Sequence, residues 1–371
     1  MEETKEAPAA VHAAAARFDV AGPVESIREQ GGGHINSSYV VTCATDGGRS
    51  VRYLLQRINT TVFTRPELVM ANVRRVTEHL CRNLEGSPDL PRRALRLVPT
   101  RDGEPWVRAT DADQPWRCFE FVEDSVCLLE PRTPDDAREA AKACGRFLAD
   151  MSSYDGERMD DVLPRFHDTP LRYEQLDAAI ARGLPERLDD ARLDLAFAEE
   201  RRAGAGSVLE ALASGAIPVR VAHNDAKISN VLFDAATGRG LCVIDLDTVM
   251  ETSSLFDFGD LVRSMASGRP EDERDLGSIE VQRPVFVALV DGFLDGFGGV
   301  MTRAERELLV EGARIMALQQ GVRFLADHLV GDVYFRVHRT GQNLDRARAQ
   351  FRLVDRLEAR RGELGAVAAS R

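Results

Sequence analysis

The residues best suited to chemistry lie in one polar loop, His223–Asn230, between two apolar stretches. Asp225 and Asn230 are five positions apart, Lys227 lies between them, and Asp245 ends a further apolar stretch twenty residues after Asp225. In phosphoryl transfer a carboxylate orients or accepts the proton of the attacking hydroxyl, and oxygen ligands hold a divalent metal on the nucleotide phosphates. A cation also balances the negative charge of the phosphoryl group that is transferred. The pattern therefore predicts a phosphotransferase site.

Each of these side chains suits one of those tasks. Asp225 is the predicted catalytic base, and Lys227 is placed to reach the transferred phosphoryl group. Asn230 and Asp245 are the predicted ligands of Mg²⁺, which prefers one or two carboxylates together with phosphate oxygens. The competing interpretation is a polar loop in which Asp225 and Asn230 only cap turns.

A glycine-rich turn, Gly31-Gly32-Gly33, lies between two predicted strands. Glycine lets backbone N–H groups approach a phosphate closely. A position between strands, instead of before a helix, is unlike a dinucleotide-binding fingerprint, and the sequence contains no GxxxxGK[ST] motif. Gly32, Gly33 and Asn36 are therefore predicted to contact the nucleotide.

A literal DFG sequence, Asp257-Phe258-Gly259, follows Asp245 and leads into an apolar, helix-like run. We expect Asp257 to cap a helix or to support the loop at 223–230. The metal is assigned to Asp245 because its apolar strand pairs naturally with Val231–Phe233.

The spacing of apolar residues predicts two kinds of structure, an N-terminal β-rich part and a C-terminal helical part. The predicted strands are Val24–Arg28, Ser38–Thr42 and Val51–Ile58, and then a meander of Ala94–Val98, Trp106–Thr110 and Trp116–Val122. The second and third strands should form a hairpin. The predicted helices are 66–84, 133–151, 191–214 and 303–329, with strands again in 217–247 and a loose tail after Arg360.

Length and charge restrict the class of protein. A chain of 371 residues suggests two domains, here 1–123 for nucleotide binding and 124–371 for catalysis and substrate binding. The net charge of −12 argues against nucleic-acid or membrane partners. Six cysteines without a CxxC pair, no long apolar run and an acidic start favour a cytoplasmic protein. We expect a monomer or a weak homodimer, and no feature of the sequence determines which.

Two of these segments resemble the aminoglycoside phosphotransferase/choline kinase superfamily. His223–Asn230 matches its HxDxxxxN loop, and Ile244–Asp247 matches its IDxD strand. Further segments resemble the N-acetylhexosamine 1-kinase subgroup, and the likeness covers residues 18–358. These segments are 32–36, 55–60, 166–170, 321–327 and 331–335. The resemblance implies an α+β, protein-kinase-like two-lobe fold, with a small antiparallel sheet and one helix in the N-lobe and a larger, mainly helical C-lobe.

The reaction that the resemblance implies is phosphorylation of the anomeric hydroxyl of GlcNAc or GalNAc, with ATP as co-substrate and Mg²⁺ as cofactor. Adenine would meet the backbone of the connector between the lobes, around Glu120 and Val122. A sugar needs convergent polar side chains, and the candidates are His34, Asp247, Arg323 and Tyr334. The alternatives are another small-molecule kinase, for a different sugar, an amino alcohol or an aminoglycoside, and a nucleotide-binding pseudokinase.

One departure from the family pattern concerns the third strand. In the family pattern this strand carries a lysine that contacts the nucleotide phosphates and forms an ion pair with a helix glutamate. That lysine is absent here, and the strand reads Tyr53-Leu54-Leu55-Gln56-Arg57. Either Gln56 hydrogen-bonds the phosphates or Arg57 replaces the cation. Glu67 and Glu78 are both candidates for the helix acid.

Overall fold

The computed structural model describes residues 8–31, 35–45, 47–108 and 114–371. The chain divides into two compact units. The first takes in the chain up to Ser125 together with Tyr154–Leu163 and Ile244–Val249, and the second takes in the rest. The sequence assigned those two later segments to the second domain, whereas the structure packs them with the first.

The first unit contains an antiparallel sheet with three helices. Its strands are β1 (Val24–Gln30), β2 (Ser37–Ala44), β3 (Ser50–Arg57), β4 (Leu97–Val98), β5 (Val107–Arg108) and β6 (Pro115–Glu120). Its helices are α1 (Ala9–Ala15), α2 (Pro66–Asn83) and α3 (Leu90–Arg93). The strand order is β1-β2-β3-β6-β4, and β5 also pairs with β6. The predicted β2–β3 hairpin is confirmed.

The predicted meander of the last three strands is wrong. β6 pairs with β3, β4 and β5, so it occupies the centre of the sheet. The reason is burial: Pro115 to Phe119 are all buried, as expected for a strand covered on both faces. Residues 109–110 of the predicted middle strand lie outside the described residues.

Alternation along β3 separates two faces of the sheet. Tyr53 and Leu55 are buried in the core that also contains Phe18, Tyr39 and Trp116. The neighbouring residues of β3 therefore point to the opposite face. This alternation determines which side chains of β3 can share a face.

The second unit is mainly helical. After β7 (Ser125–Cys127), which begins at the boundary, come α4 (Pro134–Met151), α5 (Thr169–Arg182), α6 (Pro185–Asp190), α7 (Arg192–Arg201), α8 (Ser207–Ala213), β8 (Arg220–Ala222), β9 (Val231–Asp234), β10 (Gly240–Val243), β11 (Met250–Thr252), α9 (Ser254–Met265), α10 (Arg283–Phe297), α11 (Arg303–Glu307), α12 (Leu309–Leu329), α13 (Gln342–Ala359) and α14 (Arg361–Ala369). β10, β9 and β7 form one small sheet, and β11 pairs with β8. The predicted α+β class is confirmed.

Three local predictions in this unit need correction. The helix expected over 191–214 is broken between α7 and α8, where Gly204 and Gly206 lower helix propensity. The helix expected over 303–329 is interrupted at Leu308. The tail after Arg360 is helical, because alanine favours a helix and Leu364 is buried. No helix in the described part of the chain is long and apolar enough to cross a membrane.

Helices α4 and α10 approach each other closely through glycines. A Cβ atom on Gly145 would lie less than 3.0 Å from the backbone of α10, and one on Gly292 or Gly296 would lie less than 3.0 Å from the backbone of α4. Arg146 of α4 also donates to the carbonyl oxygen of Gly240 at 2.5 Å. Helix α4 is therefore a support for the β9–β10 hairpin.

We expect Gly145→Ala to lower the free energy of unfolding by about 2 kcal/mol, because the added methyl group forces two backbones apart. Gly365→Ala is the matched control: Gly365 lies in α14 with open space around it, so alanine should stabilise the protein by about 0.5 kcal/mol. Urea denaturation of both variants measures the difference. Equal effects of the two substitutions would contradict the close approach of α4 and α10.

Candidate functional site

The polar loop joins β8 to β9 in the second unit and brings three of the predicted site residues together. The Nζ atom of Lys227 donates to Oδ2 of Asp225 at 2.8 Å. The Nδ2 atom of Asn230 donates to the same carboxylate oxygen at 2.9 Å and to the Asp225 carbonyl oxygen at 2.8 Å. The other oxygen of Asp225, Oδ1, accepts no hydrogen bond from the described residues, so it can accept a proton from a bound hydroxyl.

The carboxyl group of Asp225 is kept ionised by its neighbours. Burial would raise its pKa, but the positive charge of Lys227 and the hydrogen bond from it hold the pKa below its ordinary value. Both side chains are about a quarter exposed, at 26% each. Asp225 is thus an anion with limited access to solvent, which is the state that a general base requires.

The DFG aspartate supports this loop, as the sequence predicted. Asp257, in the first turn of α9, accepts hydrogen bonds from the backbone N–H groups of His223 at 2.9 Å and Asn224 at 2.7 Å. Asn224 has a left-handed φ of 67°, which is costly for a residue other than glycine. The two bonds from Asp257 hold the backbone in this conformation directly before Asp225.

His167 supports the loop from a second direction. Its ring nitrogen Nε2 lies 3.2 Å from the Asn224 carbonyl oxygen, and Nδ1 lies 3.1 Å from Nε2 of Gln319. Burial lowers the pKa of His167 to about 3, so the ring is neutral near pH 7. Gln319 can donate only to an unprotonated Nδ1, which leaves Nε2–H to donate to Asn224. His167 therefore has a structural role here.

Arg323 is surrounded by aromatic rings. Its guanidinium carbon lies 5.7 Å from the ring centre of Phe166, 5.8 Å from that of Tyr334 and 5.3 Å from that of Phe335. It donates to Oε1 of Gln320 at 3.0 Å. No carboxylate lies within ion-pair distance of Arg323 among the described residues.

A second arginine, Arg172, lies beside the same group. Its Nη2 atom donates to the carbonyl oxygen of Phe166 at 2.5 Å, and its described partners are carbonyl and amide oxygens. Burial, and then the nearby charge of Arg323, lower the pKa of Arg172 to about 10. The region around Phe166 therefore carries two positive charges without a paired acid in the described structure.

The loop that carries Tyr334 is fixed by one buried aspartate. Asp327 accepts hydrogen bonds from the backbone N–H groups of Val333 at 2.9 Å, Tyr334 at 2.8 Å and Phe335 at 2.9 Å. The Tyr334 side chain is 68% exposed. Its position thus depends on Asp327 and on the ring contacts with its neighbours.

The other predicted site residues lie in the first unit. Asp245 follows β10 with a left-handed φ of 62°, two residues before Asp247. Asp247 is buried, at 2% exposed, and forms an ion pair with Arg117. Its second carboxylate oxygen accepts from Nδ2 of Asn36 at 2.6 Å.

Gln56 is half-buried and belongs to the same hydrogen-bonded cluster as Asn36 and Asp247. Its Oε1 atom accepts from Nε of Arg117 at 3.0 Å, and its Nε2 atom donates to Oγ of Ser38 at 3.0 Å. Arg57 lies on the opposite face of β3, is exposed, and donates to Oγ of Ser37 at 3.0 Å. The structure thus brings the nucleotide candidates Asn36 and Gln56 into one cluster with Asp247 and Arg117. Arg57 lies apart from this cluster.

The remaining nucleotide candidates lie at the end of β6 or outside the described residues. Glu120 forms an ion pair with Arg96. Val122 is buried, and its carbonyl oxygen accepts from Oγ of Ser125 at 2.6 Å. Gly32 and Gly33 lie outside the described residues, and so does the sugar candidate His34.

The donor set of the predicted metal ligands suits a hard cation. The Nδ2 atom of Asn230 donates to two oxygens of Asp225, so the amide oxygen of Asn230 is directed away from Asp225. An amide oxygen and the carboxylate of Asp245 are ligands of the kind that Mg²⁺ takes alongside phosphate oxygens. The described residues contain no group of three or more His, Cys, Asp or Glu side chains arranged around one metal position.

Sequence reasoning missed Arg117, Arg172 and Asp327. Arg117 follows Trp116 in an apolar strand, and nothing in its local sequence marks it as different from a surface arginine. Arg172 lies on an amphipathic helix and looks like a solvent-exposed charge. Asp327 ends the segment 321–327 that carries the family resemblance, which was the one available signal.

Comparison with known proteins places these observations in a family. The model of the phosphotransferase enzyme family APH matches residues 26–305, which are 280 of the 371 residues. An aminoglycoside phosphotransferase from Alicyclobacillus acidocaldarius has a similar structure, with a TM-score of 0.60 and 16% identity over 98% of each chain.

Two other solved structures are similar at lower scores. An amicoumacin kinase in complex with AMP-PNP and Ca²⁺ has a TM-score of 0.56 and 13% identity, over 92% of this chain and 91% of that chain. An ethanolamine kinase from Plasmodium vivax has a TM-score of 0.53 and 12% identity, over 88% of this chain and 82% of that chain. At these identities the likeness concerns the fold, and it confirms the kinase-like fold that the resemblance implied.

We expect the stability contributed by Asp257 to fall as pH rises. Burial raises the pKa of Asp257 to about 6, so between pH 4 and pH 6 the folded protein binds a proton that the unfolded chain has released. Relative to Asp257→Asn, the wild-type protein should therefore lose about 3 kcal/mol of stability between pH 4 and pH 7. Urea denaturation of both proteins at four pH values measures the change, and a constant difference would contradict the buried carboxyl group.

Proposed function

The chain belongs to the phosphotransferase enzyme family, and from that premise we propose that it is an ATP-dependent kinase that phosphorylates the anomeric hydroxyl of GlcNAc or GalNAc. The observation that carries the kinase assignment is the Asp225 carboxylate, which is bonded to Lys227 and Asn230 through one oxygen and has the other available. The sugar assignment is supported by the five segments that resemble the N-acetylhexosamine 1-kinase subgroup and by the charge around Phe166.

The proposed reaction follows from the atoms at the loop. Oδ1 of Asp225 accepts the proton of the anomeric hydroxyl as the sugar oxygen attacks the γ-phosphorus of ATP. The bond from the γ-phosphorus to the β,γ-bridging oxygen breaks, and ADP leaves with that oxygen. Lys227 lies against Asp225 and donates to the transferred group. The proton on Asp225 passes to solvent after the product leaves.

Mg²⁺ supplies charge neutralisation on the phosphates when it is bound. Asn230 and Asp245 are the residues that we propose to hold it, through an amide oxygen and a carboxylate oxygen. The AMP-PNP and Ca²⁺ in the related amicoumacin kinase support a nucleotide with a divalent cation.

The charge around Phe166 favours an uncharged or anionic acceptor over a cationic one. Aminoglycosides and ethanolamine carry ammonium groups, which bind carboxylates or the faces of aromatic rings. Here Arg323 already lies over the rings of Phe166, Tyr334 and Phe335. A sugar offers hydroxyl and acetamido oxygens as acceptors for this guanidinium. We propose Arg323 and Tyr334, with His34, as the residues that contact the sugar. Asp247, also a candidate from the sequence, is buried and its two carboxylate oxygens accept from Arg117 and Asn36, so it is not proposed as a sugar contact.

Asp225→Asn tests the catalytic assignment. We expect ADP release in the presence of GlcNAc or GalNAc to fall about 10³-fold, because the proton acceptor is lost. The affinity for ATP should change less than about twofold, since Asp225 contacts the acceptor. Glucose, choline and kanamycin serve as competing acceptors in the same assay. Turnover on choline or kanamycin alone would contradict the sugar assignment, and ATP binding without turnover would favour the pseudokinase.

Arg323→Gln tests the acceptor pocket. We expect the KM for the N-acetylhexosamine to rise roughly 10- to 100-fold, because a charge-assisted hydrogen bond to a sugar oxygen is lost. The KM for ATP should stay the same. Arg303→Gln is the matched control, because Arg303 is 91% exposed at the start of α11. An unchanged sugar KM in the Arg323 variant would contradict the proposed contact.

A further inference from the structure

The first unit contains an ion pair that is almost fully buried. The side chain of Arg117 is 1% exposed and that of Asp247 is 2% exposed. Burying two charges costs free energy that their attraction recovers only in part, and an apolar pair of similar volume is often as stable. The pair holds the Asp247 segment in place, but net stabilisation by the two charges does not explain why they, instead of an apolar pair, are present.

Arg117 lies directly beside Gln56, one of the two residues of β3 that could stand in for the family's lysine. Gln56 and Arg117 are cross-strand partners on β3 and β6. The Nε atom of Arg117 donates to Oε1 of Gln56 at 3.0 Å. A guanidinium group can only donate hydrogen bonds, so the carbonyl end of the Gln56 amide must face it.

The orientation of the Gln56 amide has a consequence for its other end. The NH₂ group is turned away from Arg117 and uses one hydrogen on Oγ of Ser38, at 3.0 Å. The second hydrogen has no acceptor among the described residues, so it remains for another acceptor. The positive charge on Arg117 polarises the amide, which strengthens Gln56 as a donor.

We propose that Arg117 and Gln56 together replace the missing lysine of the third strand, with Gln56 donating to a phosphate oxygen of ATP and Arg117 acting as the positioning residue that supplies the charge. Asp247 forms an ion pair with Arg117, and it thereby takes the part that the helix glutamate has beside the lysine in the family pattern. This inference rests on the proposed function, because it assigns a phosphate contact to the same nucleotide.

The two alternatives raised by the sequence are less favourable. Arg57 is exposed and lies on the opposite face of β3 from Gln56. Glu67 lies 3.5 Å from Arg65, the residue before α2, and Glu78 lies 3.9 Å from Arg74 of α2, and both ion pairs are exposed. Neither helix glutamate therefore serves as the partner of a cation on β3 in the described structure.

The test compares the binding of ATP in the presence of Mg²⁺ with the binding of adenosine, which lacks phosphates, by isothermal titration calorimetry. Arg117→Met and Gln56→Met should each weaken ATP binding roughly tenfold or more, because a charge-assisted contact is lost. Adenosine binding should change less than about twofold for both, since neither residue is assigned to the adenosine part of the nucleotide. Arg28→Met, an exposed arginine on β1, is the matched control and should change neither affinity.

A double variant separates this role from a structural one. Gln56→Lys combined with Arg117→Met places a lysine on the third strand and should restore ATP affinity to within about threefold of the wild type, because one cation again serves the phosphates. A merely structural Arg117 would not be rescued by a lysine on another strand. Gln56→Met keeps the Arg117–Asp247 pair, so it remains informative if Arg117→Met does not fold.

The outcomes are distinct for the two proposals. Equal losses of ATP and adenosine affinity, or no loss of either, would overturn the role of Arg117 and Gln56. A wild-type protein that binds no ATP would overturn this inference together with the proposed kinase activity. A selective loss of ATP affinity in a protein that phosphorylates no sugar would support this inference and overturn only the proposed acceptor.

Discussion

A carboxylate that is to accept a proton from an attacking hydroxyl must be shielded from water and still ionised, and the loop around Asp225 in the second unit meets this constraint. Lys227 keeps Asp225 charged, and Asn230 fixes the direction of its free oxygen. The loop that carries these groups depends in turn on Asp257, which holds the backbone before Asp225 in a conformation that only a few residues tolerate. Helix α9, through Asp257, is thus as necessary for the site as the loop itself.

The first unit also holds a candidate site residue in a strained backbone conformation. Asp245 also has a left-handed backbone, and the segment that carries it is fixed by side chains of the same unit. Asn72 of α2 donates to the Val249 carbonyl oxygen at 2.9 Å, and Asp247 is paired with Arg117 and Asn36. Strain is tolerated at both positions because the surrounding structure determines the backbone more strongly than local preference does.

Local sequence patterns predicted that Asp225, Lys227 and Asn230 come together in one loop, and they predicted the β2–β3 hairpin and the supporting role of Asp257. Each of these features depends on residues of fixed spacing within a short segment. The order of the last strands could not be predicted in this way. It depends on β6 being buried on both faces, which is a property of the assembled sheet. Arg117 was missed for the same reason, since its partners Gln56 and Asp247 are 61 and 130 residues away in sequence. The predicted loose tail became α14 because burial of Leu364 stabilises a helix that composition alone left open.

Phosphorus NMR of the product formed from Mg-ATP and GlcNAc labelled with ¹³C at the anomeric carbon tests the proposed reaction. We expect a phosphomonoester signal that couples to the labelled carbon and appears in step with ADP. A product phosphorylated on another oxygen would contradict the assignment of the anomeric hydroxyl. Release of inorganic phosphate alone, with the sugar unchanged, would contradict the assignment of Asp225 as a base that acts on a sugar.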